Sequence, residues 1–165
     1  MSVFHLKFPH MKHEENSLRG IRKAKRLGFT EIDIDMLMDL LGFIYGCHWP
    51  FPMLRDGFRD TALRNRMPRR TNIKNMLPRQ VRRLLAMPGF YRIQRIERLL
   101  AECARVGIGA VLEPKGDPRF NQDAVWQHLA KVCDDLGVHA RVYALPENAA
   151  ALAPARRAGF KVKEI

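Results

Sequence analysis

Residues 32–48 read IDIDMLMDLLGFIYGCH, and the fold turns on how this stretch pairs with itself. Ile32, Ile34 and Met36 alternate with Asp33 and Asp35, the period of a strand with one apolar and one polar face. A second apolar run, residues 43–47, follows after only residues 37–42. That interval is too short for the helical crossover between parallel strands, so the two runs are expected to form an antiparallel hairpin. With the turn centred near Leu41 and Gly42, facing residue numbers sum to about 83, which sets Asp35 opposite His48 and brings an imidazole beside a carboxylate.

Outward from the hairpin the chain alternates. Residues 2–5 form a short apolar run ending at His5 and fit a first strand. Asn16 or Ser17 is placed to cap a helix that carries Leu18, Ile21 and Ala24 on one face and stops at Gly28. After the hairpin, residues 49–70 turn to Pro, Arg, Asp and Gly and read as a long loop. Leu77, Val81, Leu84 and Leu85 share a helix face, as do Ile93, Ile96, Leu100 and Cys103 on a helix that ends at Gly107. Residues 110–112 form a buried strand running into Glu113, Pro114 and Lys115. A helix on Val125, Leu129, Val132 and Leu136, a strand at 141–145, a helix at 147–157 and a strand at 161–165 complete the pattern. Strands alternating with helices predict a parallel α/β sheet, and no repeat or boundary divides residues 1–165, so a single domain is expected.

The chain has 165 residues, enough for one sizeable core, and 47% of them are apolar, which excludes disorder as the ground state. No apolar stretch approaches the roughly 20 residues of a membrane span, and residues 1–16 lack a signal-peptide core, so a cytoplasmic protein is expected. Cys47, Cys103 and Cys133 are odd in number, widely spaced and set in apolar runs, and so read as free thiols. The formal charge is +12, with a concentration in residues 59–70 (RDTALRNRMPRR), which implies attraction to polyanions. A basic nucleic-acid-binding protein is the reading this charge raises. Against it, no recognised DNA- or RNA-binding motif is present and the aromatics are not interleaved with the basic runs.

In a parallel α/β sheet, functional groups gather at the carboxyl ends of strands. The predicted ends carry His5, Asp33 with Asp35, and Glu113 with Lys115, while the hairpin adds His48. Singly, each has an ordinary role: a cap, a solvated imidazole, a surface ion pair. Together they place two imidazoles, three carboxylates and a lysine at one rim. Oxygen ligands without a thiolate suit Mg²⁺ or Ca²⁺ better than zinc.

This ordered set resembles the glycerophosphodiester phosphodiesterase family. That family has an opening strand ending in His-Arg-Gly, a helix opened by Glu-Asn-Thr, a strand with Glu-x-Asp, a hairpin ending in His-Asp and a later strand with Glu-x-Lys. Here Glu15, Asn16 and Ser17 stand at the Glu-Asn-Thr place. Residues 32–35 (IDID) fall on the Glu-x-Asp strand, Gly42 on the hairpin glycine and His48 on the second histidine. Residues 91–115 (YRIQRIERLLAECARVGIGAVLEPK) match the helix and its Glu-x-Lys strand. The departures are Leu6 and Lys7 for Arg-Gly, Asp33 for the glutamate and Trp49 for the aspartate.

The resemblance implies a TIM-barrel-like α/β fold, shortened or incomplete, with the second histidine on the hairpin arm. A full barrel takes about 250 residues and eight strands, whereas at most six strands are legible here. The open side would expose a sheet edge, to be covered by residues 49–75 or by a homodimer. The resemblance also implies Asp33, Asp35 and Glu113 as ligands of one divalent cation, Lys115 at the substrate phosphate, and His5 and His48 as general base and acid, with His10 and His13 as alternatives to His5. The implied reaction is cleavage of a small-molecule or lipid-derived glycerophosphodiester to glycerol 3-phosphate and an alcohol. A relative of the same fold that binds a phosphorylated ligand without catalysis is the rival within that family.

Overall fold

The computed structural model describes residues 3–4, 16–47, 73–85 and 93–164. Seven strands form one sheet among them: β1 (Val3–Phe4), β2 (Glu31–Met38), β3 (Ile44–Gly46), β4 (Gln94–Arg95), β5 (Gly109–Pro114), β6 (Ala140–Ala144) and β7 (Lys161–Glu164). The helices are α1 (Leu18–Arg26), α2 (Pro78–Leu85), α3 (Ile96–Val106), α4 (Asp123–Leu136) and α5 (Leu152–Arg157).

β1, β2, β5, β6 and β7 are parallel and lie side by side in that order. Each step between them moves the chain the same way, so right-handed crossovers leave the connecting helices on one face. That is the winding of a barrel, not of a doubly wound sheet. Ile32, Ile34, Met36 and Met38 of β2, Ala110 and Leu112 of β5, and Val142 and Ala144 of β6 pack there with Ile21, Leu99, Leu100, Trp126 and Leu129 in the main core. The alternate residues face the other way and are mostly polar: Glu31, Asp33 and Asp35 on β2, Glu113 on β5, Arg141 and Tyr143 on β6, with Leu37 and Val111 the apolar exceptions. This is a shortened α/β barrel whose inner face carries the charge.

β3 and β4 extend the sheet antiparallel beyond the carboxyl half of β2. The expected hairpin is there, but its register is one residue tighter than the sequence implied: Met36 pairs with Gly46, Leu37 with Tyr45 and Met38 with Ile44. Cys47, not His48, meets Asp35, donating its N–H to the Asp35 carbonyl at 2.9 Å. The cause is Asp39, which is fully buried. One of its carboxylate oxygens accepts the amides of Leu41 (2.9 Å) and Phe43 (3.0 Å), and the other accepts the Tyr45 hydroxyl (3.0 Å). A side chain that collects the loop's donors fixes where the turn lies. Tyr45 then joins Ile73, Met76, Val81 and Ile93 in a smaller core on the inner face.

Helix ends follow the expected chemistry. Ser17 caps α1 through its hydroxyl on the Gly20 amide (3.0 Å), and Gly107 closes α3 at φ 67°. Cys103 and Cys133 are buried free thiols, pushed up by burial to about 12 and about 11. β7 ends the sheet, and its Lys161, Lys163 and Glu164 are exposed, charges that discourage strand addition at this edge. Of the predicted cover, residues 49–75, only Ile73–Asn75 are described, a 3-10 turn that buries Ile73 in the smaller core, and residues 49–72 lie outside the described residues.

α1 is tied to α3 by an ion cluster. Arg22 (2.6 Å) and Arg105 (2.5 and 3.0 Å) both donate to Glu102. The Arg105 hydrogen bonds, then those of Arg22, hold the Glu102 carboxyl at about 2, against an ordinary 4.5. A carboxyl depressed on folding stabilises above its unfolded value, and that contribution is lost as pH falls through the folded one. Both arginines are more than half exposed, which keeps the magnitude small. Glu102→Gln is expected to cost about 1 kcal/mol at pH 7 in urea unfolding, with the difference from the parent vanishing as pH falls from about 4.5 towards 2.

Candidate active site

The parallel register of β2 and β5 sets Asp35 beside Glu113 and Met36 beside Pro114. Asp33 lies two residues earlier on the same face, so strand geometry alone brings three carboxylates together. Each offers an oxygen within 4.8 Å of the others. All three are buried, at 6% exposure for Asp33, 4% for Asp35 and 1% for Glu113. β2 is longer than its alternation implied, because the hairpin carries it on to Met38. Asp33 and Asp35 therefore stand inside the strand, within the parallel ladder with β5 that ends at Met36.

Lys115 follows β5 and turns its ammonium into the cluster, 2.8 Å from Asp35 Oδ1 and in contact with Glu113 Oε1. Its side chain is 12% exposed, so the Glu113–Lys115 pair is no surface ion pair. Burial opposes the charge on Lys115, but Asp35 and Glu113 outweigh it and raise its pKa. Burial raises Glu113 above the usual carboxylate range, with Asp35 adding to the effect and Lys115 opposing it.

Two further residues hold the carboxylates in place, and neither was assigned to the site from sequence. Tyr143 on β6 reaches across β5 and donates its hydroxyl to Asp33 Oδ2 at 2.5 Å. Burial and the charge of Asp33 push this phenol far above its ordinary value, so it stays a donor. Asn16, read from sequence as a possible cap, leaves that task to Ser17. It grips Asp35 instead: its Nδ2 donates to Asp35 Oδ2 (2.9 Å) and its Oδ1 accepts the Asp35 amide (3.0 Å). Asn16 is buried and has φ 48°, the left-handed region that asparagine tolerates better than most residues. Below the cluster Arg141 clasps Glu31 through two hydrogen bonds (3.0 and 2.9 Å). The strand between them carries Gly109 beside Glu31, where a Cβ would meet the Glu31 side chain at 3.2 Å.

The structure thus brings together Asp33, Asp35, Glu113 and Lys115 as the sequence implied. His5 and His48, with His10 and His13, lie outside the described residues. Their sequence neighbours are placed: Phe4 pairs with Ile32, and Cys47 binds the Asp35 carbonyl. Both lie along the edge of β2 that faces away from β5.

No protein-family model and no curated protein sequence matches the chain. Solved structures do. A glycerophosphodiester phosphodiesterase from Parabacteroides distasonis superposes with a TM-score of 0.71 at 12% identity over 98% of this chain. A phosphodiesterase from Oleispira antarctica, solved in complex with the product sn-glycerol-3-phosphate, gives 0.66 at 14% identity over 98%. A related protein from Galdieria sulphuraria gives 0.66 at 17% identity over 90%. The chain has their fold. It spans 63% of the length of the first two and 57% of the third. Among the described residues no helix is long and apolar enough to cross a membrane.

The Asn16 clamp predicts a specific loss. Asn16→Ala removes both hydrogen bonds to Asp35 and is expected to lower stability by about 1–3 kcal/mol in urea unfolding. Asn16→Gly, which relieves the backbone without restoring the bonds, should recover only part of that.

Proposed function

We propose that the chain is a metal-dependent phosphoric diester hydrolase, cleaving a small-molecule or lipid-derived glycerophosphodiester to glycerol 3-phosphate and an alcohol. The observation that carries this reading is the buried cluster of Asp33, Asp35 and Glu113 in a fold shared with glycerophosphodiester phosphodiesterases.

The donor set fits a divalent cation. Three carboxylates and one ammonium leave a net charge of about −2 when all are ionised, in a place where unbalanced charge is costly. Oxygen donors favour a hard ion, Mg²⁺ or Ca²⁺. Bound by Asp33, Asp35 and Glu113, such an ion supplies Lewis-acid polarisation of the phosphate. Lys115 adds positive charge at the phosphate oxygens. Tyr143 and Asn16 hold Asp33 and Asp35 in position.

Proton transfer falls to His5 and His48, whose ring pKa near neutrality suits both directions. The base takes the proton of a substrate glycerol hydroxyl as its oxygen attacks phosphorus. The acid gives a proton to the departing alcohol. Water then opens the cyclic phosphate with the two roles exchanged. Support for these two residues is that Phe4 and Cys47, their neighbours in the chain, lie on one edge of β2, beside Asp33 and Asp35. Location in the cytoplasm belongs to the same reading.

The test is release of glycerol 3-phosphate from glycerophosphocholine and glycerophosphoglycerol, with Mg²⁺, with Ca²⁺ and with a chelator. Turnover should require one of the metals and fall about a hundredfold or more in His48→Ala and in Glu113→Ala. No release from the folded protein with either metal would favour a non-catalytic relative that binds a phosphorylated ligand, as Leu6 and Lys7 in place of Arg-Gly would allow.

A further inference from the structure

The hairpin end, the edge strand β4, α2 and the first turn of α3 surround a cavity of about 670 Å³. That volume holds a small organic ligand. Three guanidinium groups, Arg82, Arg95 and Arg98, line it together with Phe43, Tyr45 and Pro78, and none of Asp33, Asp35, Glu113 and Lys115 does.

The arginines are not equivalent. Arg95 is bound to Glu97 through two hydrogen bonds (2.8 and 3.2 Å) and lies over the Phe43 ring, 4.1 Å from its centre. Its charge is met, and its stem and ring partner form a wall. Arg82 and Arg98 are exposed and have no acidic partner among the described residues. Two positive charges that no acidic group among the described residues meets therefore face one concavity, which focuses their field on whatever enters it. A phosphate monoester carries about −1.5 to −2 at neutral pH, close in size to the +2 that these two groups bring. A single carboxylate supplies about half of that. Guanidinium forks also match the paired oxygens of a phosphate. A bare phosphate would leave most of the volume empty, and the empty part is walled by Phe43, Tyr45 and Pro78.

We propose that this cavity binds the phosphate monoester of a small organic molecule, with the phosphate on Arg82 and Arg98 and the carbon skeleton against Phe43, Tyr45 and Pro78. The site is separate from the carboxylate cluster and does not depend on the reaction proposed for it.

The experiment is calorimetric titration of the full chain, in chelator, with phenyl phosphate, inorganic phosphate and a short single-stranded oligonucleotide. Phenyl phosphate should bind once per chain and about tenfold or more tighter than inorganic phosphate, because only it reaches the aromatic wall. The double variant Arg82→Ala and Arg98→Ala should weaken it about tenfold or more, and Glu113→Gln should leave it unchanged. Arg82→Gln with Arg98→Gln, which keeps most of each side-chain stem, should give the same loss if the alanine pair folds poorly. Binding that ignores the arginine substitutions, or that Glu113→Gln abolishes, would overturn the proposal. So would an oligonucleotide that binds through these arginines while phenyl phosphate does not.

Discussion

Three carboxylates held within 4.8 Å of one another, out of water, set a problem in charge that the rest of this sheet is arranged around. Burial raises the cost of each negative charge, and proximity raises it again. The answer in the structure is a ring of donors from different parts of the chain: Asn16 from before α1, Lys115 from the end of β5, Tyr143 from β6. None is near Asp33 or Asp35 in the sequence. The cluster therefore exists only when β2, β5 and β6 are in register and the start of α1 is docked.

That dependence explains the division between the two sheet faces. Even-numbered residues of β2, β5 and β6 are almost all apolar and build the helix-side core, whereas the odd-numbered ones carry Glu31, Asp33, Asp35, Glu113, Arg141 and Tyr143. Because side chains alternate strictly along a strand, a slip of one residue between β2 and β5 would bury the charges among the helices and expose the core. The Glu31–Arg141 clasp across Gly109 pins the same register from the opposite end of the strands. Fold and site are specified by one alternation.

How much of this the sequence disclosed depends on the range of the interaction. The strand with Asp33 and Asp35, the short interval that forces a hairpin and the helices closed by Gly28 and Gly107 are local patterns, and they were legible. The grouping of Asp33, Asp35, Glu113 and Lys115 followed from strand order. The hairpin register came out one residue off because Asp39 gathers the turn's amides, although an aspartate three residues before Gly42 is a readable turn signal. Asn16 was legible as a helix-start residue, but its left-handed backbone and its grip on Asp35 depend on tertiary contact 19 positions away. Tyr143 lies 110 positions from Asp33, and nothing in the period of β6 distinguishes it from an ordinary buried tyrosine. The edge strand β4 has two residues, too few to show a period of their own beside the helical spacing of Ile93, Ile96, Leu100 and Cys103.

Whether the buried carboxylates Asp33, Asp35 and Glu113 hold a cation can be measured without any substrate. Chelator-treated full chain would be titrated calorimetrically with Mg²⁺ and with Ca²⁺, beside a Glu113→Gln variant whose fold is checked by circular dichroism. One ion should bind per chain, and at least tenfold more weakly in the variant, as removal of one of three carboxylate ligands requires. Absence of binding by both ions, or equal binding in Glu113→Gln, would contradict a cation site at these carboxylates.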